Sequence, residues 1–255
     1  MLEVKELCAG YSGKPVLQQA ALTIPTGKIT VLLGPNGCGK STLLKAICGI
    51  LPAQSGQVLL DEEDLLALPG KLRGQKIAYL SQSRQVPDIT VGRFVLHGRF
   101  PYLHYPRRYR KVDFACAAAA MDTMGIAHLA DTPLQNLSGG QQQKAYLAMA
   151  LSQDTPVILL DEPTTFLDIS HQLHLLDHAR MLAQQGKTVV MVLHDLTHAF
   201  QIADRLVLME GGSIIAQGTP EELFLSEKIH DVFRIRLSRT QTESGWHYYC
   251  QAGSL

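Results

Sequence analysis

The chain has 255 residues, 46% of them apolar and 18% charged, which is the composition of a folded globular protein and excludes disorder as its main state. Twenty-three Lys and Arg cancel twenty-three Asp and Glu, so no global charge argues for a nucleic-acid partner and any such binding would have to be local. No apolar run approaches the roughly 20 residues of a membrane-spanning helix, and the opening MLEVKELCAGYSGK lacks the basic-then-apolar order of a secretory signal, so the cytoplasm is the default location.

In chain order, Leu2 to Cys8 and Val16 to Ile24 mix alternation with β-branched residues, and Gly10 to Pro15 between them reads as a turn, which predicts an antiparallel flank. Short continuous apolar runs follow at Ile29 to Leu33, Ile77 to Leu80, Val157 to Leu160 and Thr188 to Leu193. Runs of this kind are strands covered on both faces, so a mostly parallel central sheet is expected. The stretch from about Arg84 to Asn136 reads as a helical insertion, because its Ala-rich centre, Lys111 to Met124, is a strong helix former. Helices are expected at Ile169 to Gln185 and Leu196 to Ala203, then two short strands around Gly211-Gly212, which completes an α/β layer pattern. Thr219-Pro220-Glu221-Glu222 carries an N-cap, a proline at the first helical position and a glutamate three residues after the cap. The residues after Arg234 give no clear period; Trp246, Tyr248 and Tyr249 cluster there and are expected to pack on the core. Five scattered cysteines (Cys8, Cys38, Cys48, Cys116, Cys250) without a C-x-x-C pair read as free thiols.

Gly34-Pro35-Asn36-Gly37-Cys38-Gly39-Lys40-Ser41-Thr42 follows a strand and opens the helical pattern Thr42 to Ile50, which is the G-x-x-x-x-G-K-[ST] phosphate loop in its required context. Glycines let backbone N–H groups close around phosphate oxygens, Lys40 reaches the β- and γ-phosphates, and Ser41 offers a hydroxyl to Mg²⁺. Asp161 and Glu162 end a buried apolar strand, where carboxylates are costly unless they meet a cation or a proton. Asp161 is read as holding Mg²⁺, directly or through water, and Glu162 as polarising the water that attacks the γ-phosphate. Leu137-Ser138-Gly139-Gly140-Gln141 precedes a helix, with Ser138 where an N-cap belongs, and forms a second anion site.

Leu-Ser-Gly-Gly-Gln is the signature of ATP-binding cassette (ABC) ATPases, and from about Leu2 to Leu225 the chain resembles the complete nucleotide-binding subunit of an ABC transporter. The resemblance implies an α/β P-loop fold with a RecA-like core at about residues 1–83 and 137–230, an N-terminal antiparallel flank, a helical subdomain at about 84–136 and a C-terminal extension from about 231. It implies a head-to-tail dimer enclosing two ATP molecules, each held by the phosphate loop of one copy and the signature of the other. Tyr11 then matches the aromatic that stacks on adenine, and Gln82 the glutamine that ligates Mg²⁺ and reports to the membrane partner. Asp168 matches the aspartate that crosses the dimer interface, and His194 the histidine that contacts the γ-phosphate and fixes the attacking water and Glu162. The partners implied are an integral-membrane permease, a second copy of the chain and, indirectly, a substrate-binding protein, with no nucleic acid.

Two departures stand out: Gln142-Gln143-Lys144 occupies a position where arginine-rich text is common, and Thr165-Phe166 replaces Ser-Ala. The second, with Gly98-Arg99-Phe100-Pro101-Tyr102, resembles importers of iron-siderophore, haem and vitamin B12 type. The alternatives are an importer ATPase for another metal chelate, and a soluble cassette ATPase without a membrane partner; the latter usually carries two cassettes or long insertions. A non-hydrolysing regulator is disfavoured by the presence of Lys40, Glu162 and His194. His171, His174 and His178 read as a polar, solvated helix face rather than a zinc site. Arg107 to Lys111 reads as a solvated loop in the insertion, facing the membrane partner.

Overall fold

Residues 2–24 form two long antiparallel strands, β1 (Leu2–Tyr11) and β2 (Lys14–Ile24). The computed structural model describes residues 1–82, 86–165, 167–242 and 245–252. The expected turn at Gly10 to Pro15 is tighter than the sequence suggests. Pairing continues to Tyr11↔Lys14, leaving Ser12 (φ 49°) and Gly13 (φ 77°) as a two-residue loop. Positive φ at both central residues matches the right-handed twist of the flanking strands.

β3 (Ile29–Leu33) lies at the expected position and is buried throughout; α1 (Lys40–Ile47) follows. β4 (Ala53–Leu60) and the short β5 (Glu63–Asp64) were not legible, since AQSGQVLL lacks an apolar alternation. β4 exists because β1 offers it an edge, in the register Leu2↔Leu60 and Val4↔Val58. After α2 (Gly70–Arg73) come β6 (Ile77–Leu80), α3 (Val91–Leu96), a 3-10 turn at His97–Tyr102 and α4 (Lys111–Thr123). α5 (Gly139–Ser152), β7 (Val157–Leu160) and α6 (Ile169–Gln184) complete the middle of the chain. Then follow β8 (Thr188–Val192), α7 (Leu196–Ile202), β9 (Arg205–Glu210) and β10 (Ser213–Gly218). The chain ends with α8 (Pro220–Leu225), α9 (Lys228–Phe233) and a hairpin of β11 (Ile235–Thr242) with β12 (Gly245–Ala252). Among the described residues no helix is long and apolar enough to cross a membrane.

The chain divides into two compact units, residues 1–67 with 178–255, and residues 68–177. In the first unit, β2-β1-β4-β5 form an antiparallel sheet, and β10, β9, β3 and β8 lie side by side in that order. β3 pairs in parallel with β8 (Leu32↔Val192) and with β9 (Leu33↔Leu208), while β10 adds an antiparallel edge. β3 and β8 are apolar on both faces because both faces are covered, as buried parallel strands require. The expectation for Trp246, Tyr248 and Tyr249 holds for one residue. Tyr248 is buried between Phe200 and Phe224 (ring centroids 4.8 and 5.6 Å), whereas Trp246 and Tyr249 stay exposed.

In the second unit, β6 and β7 pair in parallel (Leu80↔Leu160), and α3, α4 and α5 pack together, with Phe94 edge-on to Tyr146 at 4.8 Å. Arg99 is buried there at 5% exposure. Its Nε donates to Asp113 Oδ1 at 3.2 Å and its Nη1 to the Ser152 carbonyl at 3.0 Å at the end of α5, with its guanidinium carbon 3.8 Å from the Tyr102 ring centroid. Burial pushes the fully enclosed Asp113 carboxyl up. The Arg110 backbone N–H and the Arg99 and Arg110 guanidinium groups outweigh that and hold it below the usual carboxylate value.

Candidate functional site

In the first unit the loop after β3 is shaped by close backbone approach. A Cβ on Gly34 (φ 148°) would stand 2.2 Å from the Met209 carbonyl oxygen and 2.7 Å from Cys38 Sγ, so only glycine fits. Gly39 (φ 106°) caps α1 through its backbone alone. The Lys40 side chain is drawn back along the loop. Its Nζ donates to the carbonyls of Gly34 (2.7 Å) and Pro35 (2.9 Å), and the residue is only 6% exposed. Burial pushes the neighbouring Cys38 thiol up, more than the Lys40 ammonium beside it draws it down. Pro35 is partly exposed, Asn36 and Gly37 form the exposed crest, and Ser41 and Thr42 lie in the first turn of α1. His194 is exposed in the turn after β8. Since β3 and β8 are parallel neighbours, the loop and His194 leave the sheet from the same edge, the carboxyl edge at which open α/β sheets bind ligands. Tyr11 ends β1 with its side chain exposed.

In the second unit β6 and β7 are likewise parallel neighbours, which brings Gln82 and the Asp161-Glu162 pair to one edge. Asp161 is 1% exposed, and the Tyr79 hydroxyl donates to its Oδ2 at 3.0 Å. Gln82 Nε2 donates to Glu162 Oε2 at 2.5 Å, and Thr165 Oγ1 donates to the same oxygen at 3.3 Å. Glu162 itself sits in the left-handed region (φ 49°), a strained conformation that a rigid turn must hold and that concentrates at functional sites. Part of that rigidity comes from α5, where Gln143 Nε2 donates to the Pro163 carbonyl at 2.5 Å.

The turn Ser138 to Gln141 is a reciprocal capping box. The Gln141 N–H donates to Ser138 Oγ (3.4 Å) and the Ser138 N–H to Gln141 Oε1 (3.1 Å), with Gly139 and Gly140 opening α5. Asp168, just before α6, accepts from the His171 backbone N–H (2.9 Å), His171 Nδ1 (2.7 Å) and Ser170 Oγ (3.0 Å), and these donors hold its carboxyl down to about 2. The His171 ring lies on the side of Gly140 where an added Cβ would stand 3.4 Å from its Nε2. Within this unit the structure therefore gathers Gln82, Asp161 and Glu162 in one group, and the Ser138 to Gln141 turn with Asp168 in another. Phe166 of the Thr165-Phe166 pair and residues 84–85 of the expected insertion lie outside the described residues.

Tyr79, Gln143, Thr165 and His171 were not assigned a role from the sequence. Each works through a partner distant in the chain or through a turn whose shape no spacing announces. The loop offers an ammonium and glycine-freed N–H groups at a helix start, which suit phosphate oxygens. Within the second unit, the Asp161 carboxylate and the Gln82 amide offer oxygen donors of the kind that suits Mg²⁺.

The ABC transporter family matches residues 17–165 of the chain. The chain belongs to this family. It is similar to the ferric enterobactin transport ATP-binding protein FepC of Escherichia coli K12, at 41% identity over 92% of the chain and 88% of that protein. Its identity to the hemin import ATP-binding protein HmuV of Pseudomonas aeruginosa is 40%, over 93% of the chain and 94% of the relative. Among solved structures it resembles a metal-chelate type ABC transporter in an inward-facing conformation. The TM-score is 0.84 at 29% identity, covering 98% of this chain and 96% of that one. It also resembles a dimeric, post-hydrolysis ATP-binding cassette bound to ADP and phosphate, with a TM-score of 0.76 at 26% identity over 86% and 99% of the two chains. The α/β P-loop fold expected from the motifs is thereby established, and with it an ATP-binding, ATP-hydrolysing subunit of an ABC transporter.

Proposed function

We propose that this chain is the cytoplasmic motor of an importer for an iron chelate, haem or cobalamin, working as a head-to-tail pair on a separate membrane permease. The observation that carries the cargo class is the kinship, at about two-fifths identity over nearly the whole chain, with relatives named for ferric enterobactin and hemin. The domain division that accompanies this reading is a single ATPase domain with a helical subdomain at about residues 84–136 and an extension from about 231.

In this reading Lys40 and the loop N–H groups of Gly34 to Thr42 grip the phosphates, and Tyr11 stacks on the adenine. Ser41, Asp161 and Gln82 would hold Mg²⁺, which would supply positive charge to the phosphates. Glu162 accepts a proton from the attacking water, and His194 orients that water and the γ-phosphate. The Gln82 amide and the Thr165 hydroxyl fix the Glu162 carboxylate in one rotamer, so the base is aimed before substrate arrives. Ser138 to Gln141 and Asp168 serve the nucleotide of the partner copy. The second unit exposes Phe100, Tyr105, Val112 and Phe114 in the same stretch of chain as Arg107, Arg108 and Lys111, with the Arg107 guanidinium 4.9 Å from the Phe100 ring centroid, and we assign these apolar and basic side chains to the permease.

Uptake tests this reading. Cells lacking the chain should fail to take up labelled ferric siderophore, haem or cobalamin and recover with wild type but not with Lys40→Ala. Normal uptake of all three without the chain would contradict the cargo class, and purification without any polytopic membrane protein would favour a soluble cassette.

A further inference from the structure

Strand β6 reaches both acids at the end of β7. The two strands pair in parallel, Tyr79 opposite Leu159 and Leu80 opposite Leu160, so β6 runs level with the chain that delivers Asp161 and Glu162. The Asp161 backbone N–H donates to the Leu80 carbonyl at 2.9 Å and the Tyr79 hydroxyl donates to Asp161 Oδ2 at 3.0 Å, so the backbone and the carboxylate of Asp161 are both referenced to β6. The same strand runs on into Gln82, whose amide N–H donates to Glu162 Oε2. Asp161 is almost fully enclosed, whereas Tyr79 is half-buried among the buried Ile77, Ala78 and Leu80. Packing asks only for an apolar side chain at that place in an apolar strand. The hydroxyl is the one polar side-chain group of β6, and it is directed at Asp161.

We propose that Tyr79 is a positioning residue, whose hydroxyl holds the Asp161 carboxylate in one orientation before Mg²⁺ binds and thereby sets the affinity for the ion. The proposal rests on the reading of Asp161 as a Mg²⁺ ligand. A carboxylate this enclosed receives little orientation from bulk water, and a donor on one of its oxygens both limits its rotation and lowers the cost of burying its charge. Donors behind a ligating carboxylate control metal affinity because the ligand is already aimed when the ion arrives. Tyr79→Phe removes the hydroxyl and keeps the ring with its packing, so it isolates this contact.

The test is Mn²⁺ binding to the purified full chain, held in excess over the non-hydrolysable ATP analogue AMP-PNP, and read from the electron paramagnetic resonance signal of free Mn²⁺. Binding of AMP-PNP in EDTA is measured alongside. Tyr79→Phe should weaken Mn²⁺ about tenfold, the lower end of what a donor behind a metal ligand controls, with metal-free AMP-PNP affinity within about twofold of wild type. Asp161→Asn should weaken Mn²⁺ at least as much, and adding Tyr79→Phe to it should change nothing further, because the hydroxyl acts through that carboxylate. Unchanged Mn²⁺ affinity in Tyr79→Phe, with Asp161→Asn weakened, overturns the role of Tyr79. So does a full further loss in the double variant, or a metal-free AMP-PNP affinity that falls as far as that for Mn²⁺, which would mark general damage. Mn²⁺ affinity untouched by Asp161→Asn removes the ligand reading and this proposal with it, which separates the two failures.

Discussion

The phosphate loop and the signature turn both present glycines and a helix start to an anion, yet they are held by different means. Around Gly34 to Lys40 the backbone does the holding. Carbonyls of Gly34 and Pro35 fix the ammonium, and the Met209 backbone leaves no room for a Cβ on Gly34. Around Ser138 to Gln141 and Asp168 the contacts are side-chain hydrogen bonds at partly exposed positions, from Gln141, His171 and Ser170. A site built from backbone is stiff without help, whereas one built from exposed side chains is adjustable and gains full definition only against a partner.

The largest expected effect breaks the first region chemically. Lys40→Ala should lower kcat/KM for ATP by about 10²- to 10³-fold, as loss of a preorganised charge at developing phosphate charge does, while thermal unfolding shifts little. Next comes the scaffold of the second region. Arg99→Ala leaves the buried Asp113 carboxylate without its main guanidinium partner and should cost about 3–5 kcal/mol of stability in denaturant unfolding. Because the Asp113 carboxyl is held below its ordinary value, its contribution is present above that value and is lost as pH falls through the lowered one. Ser138→Ala removes one half of the capping box and should cost about 1 kcal/mol, read in the same unfolding experiment, with the loop around Lys40 undisturbed.

The smallest effect is a titration. Followed by carboxyl NMR, Asp168 should protonate near 2 rather than at its ordinary 3.8, so its bonds to His171 and Ser170 persist down to acid pH and disappear as pH falls through about 2. In His171→Ala the value should rise only part of the way, since the backbone N–H of residue 171 is the larger cause and survives the substitution.

The same contrast explains what the sequence could reveal. Gly34, Gly39 and Lys40 are dictated by backbone geometry and by a fixed reach to phosphate, so residue type and spacing alone announce them. β3, β6 and β7 were legible to the residue because strands covered on both faces are uninterrupted apolar runs. β4 was not, because its reason to exist is the free edge of β1, and neither was the hairpin of β11 and β12, where Leu237 and Tyr248 alone are buried among the described residues. Tyr79 on Asp161 and Gln143 on Pro163 are ordinary residues that acquire their meaning from a tertiary neighbour.

The measurement that tests the account most directly is Mg²⁺-dependent ATP hydrolysis by the purified chain across a range of protein concentrations, with Glu162→Gln alongside. The account predicts a rate that rises more steeply than protein concentration and is abolished in Glu162→Gln. A rate strictly proportional to protein and unchanged by Glu162→Gln would contradict both the shared site and the role of Glu162.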